Sequence, residues 1–143
     1  VHRCLIVANL TLGGDHLLEE VRGRMAAGPV SFFVLVPAAF PHDAHFHTEG
    51  AAIAGARRRL DAELARLRLM GVDADGAIGS QNPRYAVEDL LREEEFDEII
   101  LSTLPSGVSR WLRQDLPHRL ARVTTTPITL VVAPAETPIG VAR

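Results

Sequence analysis

The sequence predicts one α/β domain built on a mostly parallel, doubly wound five-stranded sheet with helices on both faces. Three observations predict it: five short apolar runs, helical periodicity in the intervals between them, and a length of 143 residues, the size of one domain. Strict alternation of strands with helical crossovers implies parallel strands and right-handed connections. The whole chain, 1–143, is expected to form this single domain, since no repeat, low-complexity tract or linker divides it.

The first strand is read at residues 3–9, where Cys4-Leu5-Ile6-Val7 is apolar throughout, as suits a strand covered on both faces. A helix follows in which Leu17, Val21 and Met25 recur every four residues, with Leu18 beside them. Asp15 reads as its N-cap, and Gly28-Pro29 ends it, because Pro cannot continue a helix. The second strand is 31–37. The second helix, about 49–70, carries Ile53, Leu60, Leu64 and Leu67 on one stripe and stops at Gly71. Arg57, Arg59, Asp61, Glu63 and Arg66 lie mainly off that stripe. A third strand at 72–78 precedes a helix at about 85–95 that turns Tyr85, Val87, Leu90 and Leu91 inward. After a fourth strand at 98–102 comes a helix at about 109–123, carrying Trp111, Leu112, Leu116 and Leu120 and kinked or divided at Pro117. The last strand is 128–133.

Composition narrows the function. Aromatic residues make up 5% of the chain, so the core must be mostly Leu, Val, Ile and Ala. A net charge of −3 offers no general attraction to nucleic acid or to acidic membranes. All 15 basic residues are Arg, which removes Schiff-base chemistry and any phosphate-loop lysine. The one cysteine, Cys4, lies in an apolar strand and reads as a buried, inert thiol of a reducing compartment. No apolar stretch approaches the ~20 residues of a membrane span, and no signal peptide is visible, so a cytoplasmic location is expected.

In an open α/β sheet, ligands bind beyond the C-terminal ends of the strands, where the strand order reverses. With the order 3-2-1-4-5, that point lies between the first and fourth strands. Two loops then line the crevice: 9–14, with Asn9 and Thr11, and 102–109, with Ser102, Thr103, Ser106, Gly107 and Ser109, followed by Arg110. Hydroxyls and backbone N–H groups at a helix start suit an anion such as phosphate, and Arg110 and Arg113 add positive charge. Ser106 or Ser109 serves equally well as an ordinary helix cap.

These residues also carry a family resemblance that covers nearly the whole chain. The opening strand Cys4-Leu5-Ile6-Val7-Ala8-Asn9, the turn Gly79-Ser80-Gln81-Asn82-Pro83, the strand Phe96-Asp97-Glu98-Ile99-Ile100-Leu101-Ser102 and the closing Thr126-Pro127-Ile128-Thr129-Leu130-Val131-Val132 resemble, in order and spacing, the universal stress protein family. The resemblance implies the adenine-nucleotide alpha-hydrolase-like fold and a homodimer, often paired through the last strand, here Ile128 to Val132. That edge is apolar and needs covering in any case. Nucleotide-binding members resemble G-x-x-G, nine residues, then G-[ST]; here the glycine positions fall on Leu101, Leu104 and Gln114, with Asp115 at the hydroxyl position. Asn9 stands where the family usually places an Asp. The resemblance therefore implies the fold but not ATP binding, and no cofactor is expected; a nucleotide remains the disfavoured choice, beside a small phosphorylated ligand.

Other candidates give weaker chemistry. His42, His45 and His47, with Asp43 and Glu49, could offer zinc ligands, but the spacing matches no zinc motif, and no metal is expected. His16 stands alone where nucleotidyl-transferring relatives of this fold use paired histidines. Arg57-Arg58-Arg59 is followed by Asp61 and Glu63 at helical spacing, which reads as a solvated face neutralised by i,i+4 pairs rather than a nucleic-acid surface. Trp111 reads as core or interface packing. No catalytic set emerges. The expected function is thus a non-enzymatic, small-ligand-binding or regulatory dimer; the alternative is an enzyme acting on a phosphorylated metabolite or nucleotide in the crevice after strands 1 and 4, with His16 as acid or base.

Overall fold

A computed structural model describes residues 1–38 and 49–134. The elements run β1 (His2–Val7), α1 (Asp15–Ala27), β2 (Val30–Pro37), α2 (Glu49–Leu69), β3 (Asp73–Gly79), α3 (Pro83–Glu93), β4 (Glu98–Thr103), α4 (Arg110–Arg113), α5 (Leu116–Ala121) and β5 (Ile128–Val132). The sheet order is β3-β2-β1-β4-β5, and all four ladders are parallel. Chain order reverses between β1 and β4, which pair with Cys4 opposite Glu98 and Val7 opposite Leu101.

Strand alternation sorts β1 between two apolar layers. Cys4, Ile6 and Ala8 face one cluster with Leu17 and Val21 of α1 and Leu60, Leu64 and Leu67 of α2. Leu5 and Val7 face the other, with Ala86 and Val87 of α3 and Leu116 and Leu120 of α5. The central strands are therefore apolar through their middles, whereas the edge strand β3 is only partly covered and carries Asp73 and Asp75 exposed. Helix α2 lies unusually close to β3. A Cβ added at Gly76 would stand 2.6 Å from the Val34 carbonyl oxygen and 2.7 Å from Leu60 Cδ1, so only glycine fits between the helix and the paired strand.

Several local expectations change. The helix expected at 109–123 is two short helices, divided at Asp115, which adopts the left-handed conformation at φ 57°, ψ 40°. Pro117 lies in the first turn of α5, where its missing N–H costs nothing. Gly14, not Asp15, occupies the cap position of α1; Asp15 is the first helical residue, at the positive end of the helix dipole. Tyr85 is half exposed and Pro83 and Ala86 are buried in its stead, because α3 begins two residues earlier than expected. Ile53 is also exposed. Glu63, assigned above to the solvated face, is 2% exposed, and its partner is Arg66 rather than Arg59. Among the described residues neither Arg57 nor Asp61 makes an ion pair.

Candidate functional site

The loop leaving β1 is a tight turn, with Leu12 N–H donating to the Asn9 carbonyl at 3.2 Å and Gly14 N–H to the Thr11 carbonyl at 3.0 Å. It is stitched across the switch point to β4. Thr11 Oγ1 lies 2.7 Å from Ser102 Oγ and 3.3 Å from the Ser102 carbonyl oxygen. Both contacts are satisfied when Thr11 donates to the carbonyl and accepts from the Ser102 hydroxyl. Ser102 and Thr103 are both buried, and Thr103 Oγ1 has no hydrogen-bond partner among the described residues.

The second loop closes on itself through Val108 and Ser109 N–H groups donating to the Pro105 carbonyl at 2.9 and 3.0 Å. Buried Ser109 caps α4, its Oγ accepting from Leu112 N–H at 3.2 Å, so this hydroxyl is spent on structure. Ser106 and Gly107 stand exposed at the tip, and Arg110 is half-buried at the start of α4. The structure thus brings Thr11 and Ser102 into contact and leaves Ser106 and Gly107 open to solvent. Asn9 is already engaged. Its Nδ2 donates to the Pro37 carbonyl at 2.8 Å and its Oδ1 accepts from Arg59 Nε at 2.9 Å.

Helix α2 supplies three residues that the sequence reading left on a solvated face. Arg59 holds Asn9; Glu63 Oε2 accepts from Gly13 N–H at 3.1 Å; Arg66 donates to the Gly13 carbonyl at 3.1 Å. Their spacing of four and three residues puts all three on one helix face, directed at the β1–α1 loop. That spacing was the available signal, but charge alone hid it. Glu63 joins the clamp to the helix by accepting two bonds from Arg66 Nη2, at 2.6 and 2.8 Å. The Arg59 guanidinium is lowered from its ordinary pKa by burial and by the neighbouring Arg58.

The opposite end of the sheet holds a second polar cluster. Glu98 accepts from Arg24 at 2.5 and 3.0 Å, from Thr129 at 2.9 Å and from the Cys4 thiol at 3.4 Å, with His2 Nε2 at 3.2 Å. The Arg24 hydrogen bonds hold the Glu98 carboxyl down at about 2. Burial and the adjoining carboxylate push the Cys4 thiol up to about 12, which makes it a poor nucleophile. His2, Cys4 and Glu98 are close enough to share a cation, but one would have to displace the Arg24 guanidinium; the cluster reads as an ion-pair knot. The expected histidine loop, with His42, Asp43, His45 and His47, lies outside the described residues. His16 is exposed and hydrogen-bonds to no described residue.

Two clefts lie away from the crevice. One of about 450 Å³ is lined by Arg3, Phe33, Arg68, Asp73, Asp75 and Glu94; its arginines are already bound to Glu94 and to the Ala74 carbonyl. The other, about 290 Å³, lies between α3 and α5 at Asn82, Arg84, Tyr85, Gln114, Leu116 and Arg119. Neither touches the switch point, where the polar groups of separate elements meet.

No family model and no curated protein matches the sequence. Solved structures do match the fold. Hypothetical protein MJ0577 superposes with a TM-score of 0.72 at 12% identity, covering 94% of this chain and 97% of that one. A universal stress protein family protein from Arabidopsis thaliana with AMP bound gives 0.65 at 11% identity, covering 98% and 97%. The universal stress protein from Archaeoglobus fulgidus in complex with dAMP gives 0.58 at 12% identity, covering 92% and 98%. The fold is that of the universal stress proteins. The order β3-β2-β1-β4-β5 expected from the sequence is the observed order within that fold, and no described helix is long and apolar enough to cross a membrane.

Proposed function

We propose that the chain is a universal-stress-protein-like, non-enzymatic homodimer of the cytoplasm that binds a small ligand or serves a regulatory role. The ligand sits between the loops after β1 and β4, against Thr11, Ser102, Thr103, Ser106, Gly107 and Arg110, with Asn9 and Ser109 shaping the two loops. The buried Thr103 hydroxyl carries this reading: it is unpartnered among the described residues at the end of β4, and an unsatisfied buried hydroxyl costs about 1–3 kcal/mol. A polar ligand at the switch point supplies the missing partner. That solved structures of the same fold carry AMP or dAMP supports a small-ligand role. The ATP mode is disfavoured, because Leu101, at the first glycine position, is fully buried and its backbone lies within the β4 ladders.

The test is thermal unfolding with AMP, ADP and ATP, each with magnesium, beside a panel of small phosphorylated and carboxylated metabolites. A ligand at a hundred times its Kd stabilises by about 2.7 kcal/mol, a shift of roughly 5–10 °C. We expect such a shift from a metabolite, abolished by S106E at the exposed loop tip, and almost none from ATP. No shift from any compound would sink the ligand-binding reading, and a large ATP shift would overturn the disfavoured status of nucleotide.

The dimer has its own test. Among the described residues strand β5 is an edge, paired only with β4, and its Leu130 is 43% exposed. Sedimentation equilibrium is expected to show a dimer for the wild type and a monomer for L130R; a monomeric wild type would remove the dimer from the proposal. An enzyme acting on a phosphorylated metabolite or nucleotide would need an oriented acid or base. His16 is exposed, and no described residue orients it.

A further inference from the structure

Four of the half-buried arginines, Arg3, Arg24, Arg66 and Arg84, each have a carboxylate within 3.4 Å. Arg59 does not. Among the described residues its one hydrogen bond goes to the neutral amide oxygen of Asn9, and no carboxylate pairs with it. A guanidinium taken partly out of water and left without a countercharge is unfavourable, and its neighbour Arg58 adds repulsion; burial and that repulsion both lower its pKa. Asn9 aggravates the imbalance. An acid at this position would neutralise Arg59, whereas the amide orients the guanidinium and leaves its charge unanswered.

We propose that Arg59, oriented by Asn9 at the C-terminal end of β1, is an oxyanion-binding residue, and that the ligand of this protein carries a phosphate or carboxylate group that pairs with it. The proposal rests on the crevice reading above and specifies its chemistry: the anion is held by a planar, forked donor on α2 rather than by the backbone of a glycine loop. Arg59 lies where a bound anion restores the missing countercharge, and the clamp from Glu63 and Arg66 to Gly13 fixes the loop that presents Asn9.

The experiment measures thermal unfolding of the whole chain in inorganic phosphate and in malonate, each against sodium chloride of matched ionic strength. At roughly ten times Kd the wild-type midpoint is expected to rise by about 3–5 °C in one or both oxyanions. A stronger response to phosphate assigns a phosphorylated ligand, and a stronger one to malonate a carboxylated one. R59M keeps the aliphatic stem and loses the charge; it is expected to fold and to lose the response. N9D supplies an internal carboxylate that competes for Arg59, and is expected to lose the response too. A wild type indifferent to both oxyanions overturns the proposal, as does an R59M that responds like wild type. If metabolites stabilise R59M and wild type equally while S106E abolishes the effect, the crevice reading stands and the Arg59 assignment falls. If R59M loses the oxyanion response and S106E keeps it, Arg59 stands as an anion site and the crevice reading falls.

Discussion

Glu63→Ala is expected to lower the stability of the fold by about 3 kcal/mol, and its thermal midpoint by roughly 10 °C. The Glu63 side chain is 1% exposed and serves two partners at once, Arg66 on its own helix and the Gly13 N–H of the β1–α1 loop. Removing it strands a half-buried guanidinium and an amide donor together, which is the costly way to break a buried pair. Glu63→Gln keeps one acceptor oxygen and is expected to lose about half as much. Asp61, exposed and outside any ion pair among the described residues, provides the control, since Asp61→Ala should change stability by no more than about 0.5 kcal/mol. Urea unfolding of the three variants decides the matter. Equal effects at positions 61 and 63 would mean that the clamp contributes nothing.

Acid should weaken the protein through Glu98. Its carboxyl titrates at about 2 in the folded chain against an ordinary 4.5, because Arg24 grips it, with His2, Thr129 and Cys4 completing the set. A depressed folded value means that the stabilisation is fully present above the unfolded pKa and is lost as the pH falls from about 5 toward 2. The side chain is only 13% exposed, so solvent screening removes little of it, and the gap between 2 and 4.5 corresponds to about 3 kcal/mol. Glu98→Gln should therefore lower stability at pH 7 by a similar amount and lose stability less steeply below pH 5. Urea titrations at pH 7, 5, 4 and 3 compare the two slopes. Parallel curves for wild type and variant would show that other carboxylates govern the acid response.

The five strands and most of the helices were legible because apolar runs and helical periods report burial directly, and strand boundaries agree to within two residues. Periodicity says nothing of charged groups that turn inward. Glu63 and Arg59 were therefore placed in solvent, although their spacing from Arg66 already marked one face. Conformation at a single residue is equally silent: Asp115 breaks a helix by taking a left-handed geometry that no apolar pattern announces. At the crevice, the hydroxyls of Thr11 and Ser102 could be named from topology, but their contact depends on how two loops meet. Ser109 carried two readings in the sequence, ligand contact or helix cap, and its hydroxyl caps α4.

The placement of the two polar clusters has a consequence for how such a protein can change. The Glu98 knot sits where β4 begins and the Arg59–Glu63–Arg66 clamp where β1 has ended, about 20 Å apart along a six-residue strand. At that distance two unit charges interact by less than about 1 kcal/mol at an effective dielectric constant of about 20, so a charge altered at one end is felt only weakly at the other. Substitution around the crevice leaves the anchoring at the far rim intact. Descent can then rewrite what the molecule recognises while retaining the device that keeps its central strands and first helix together, and lineages sharing this architecture can diverge in ligand long before they diverge in shape.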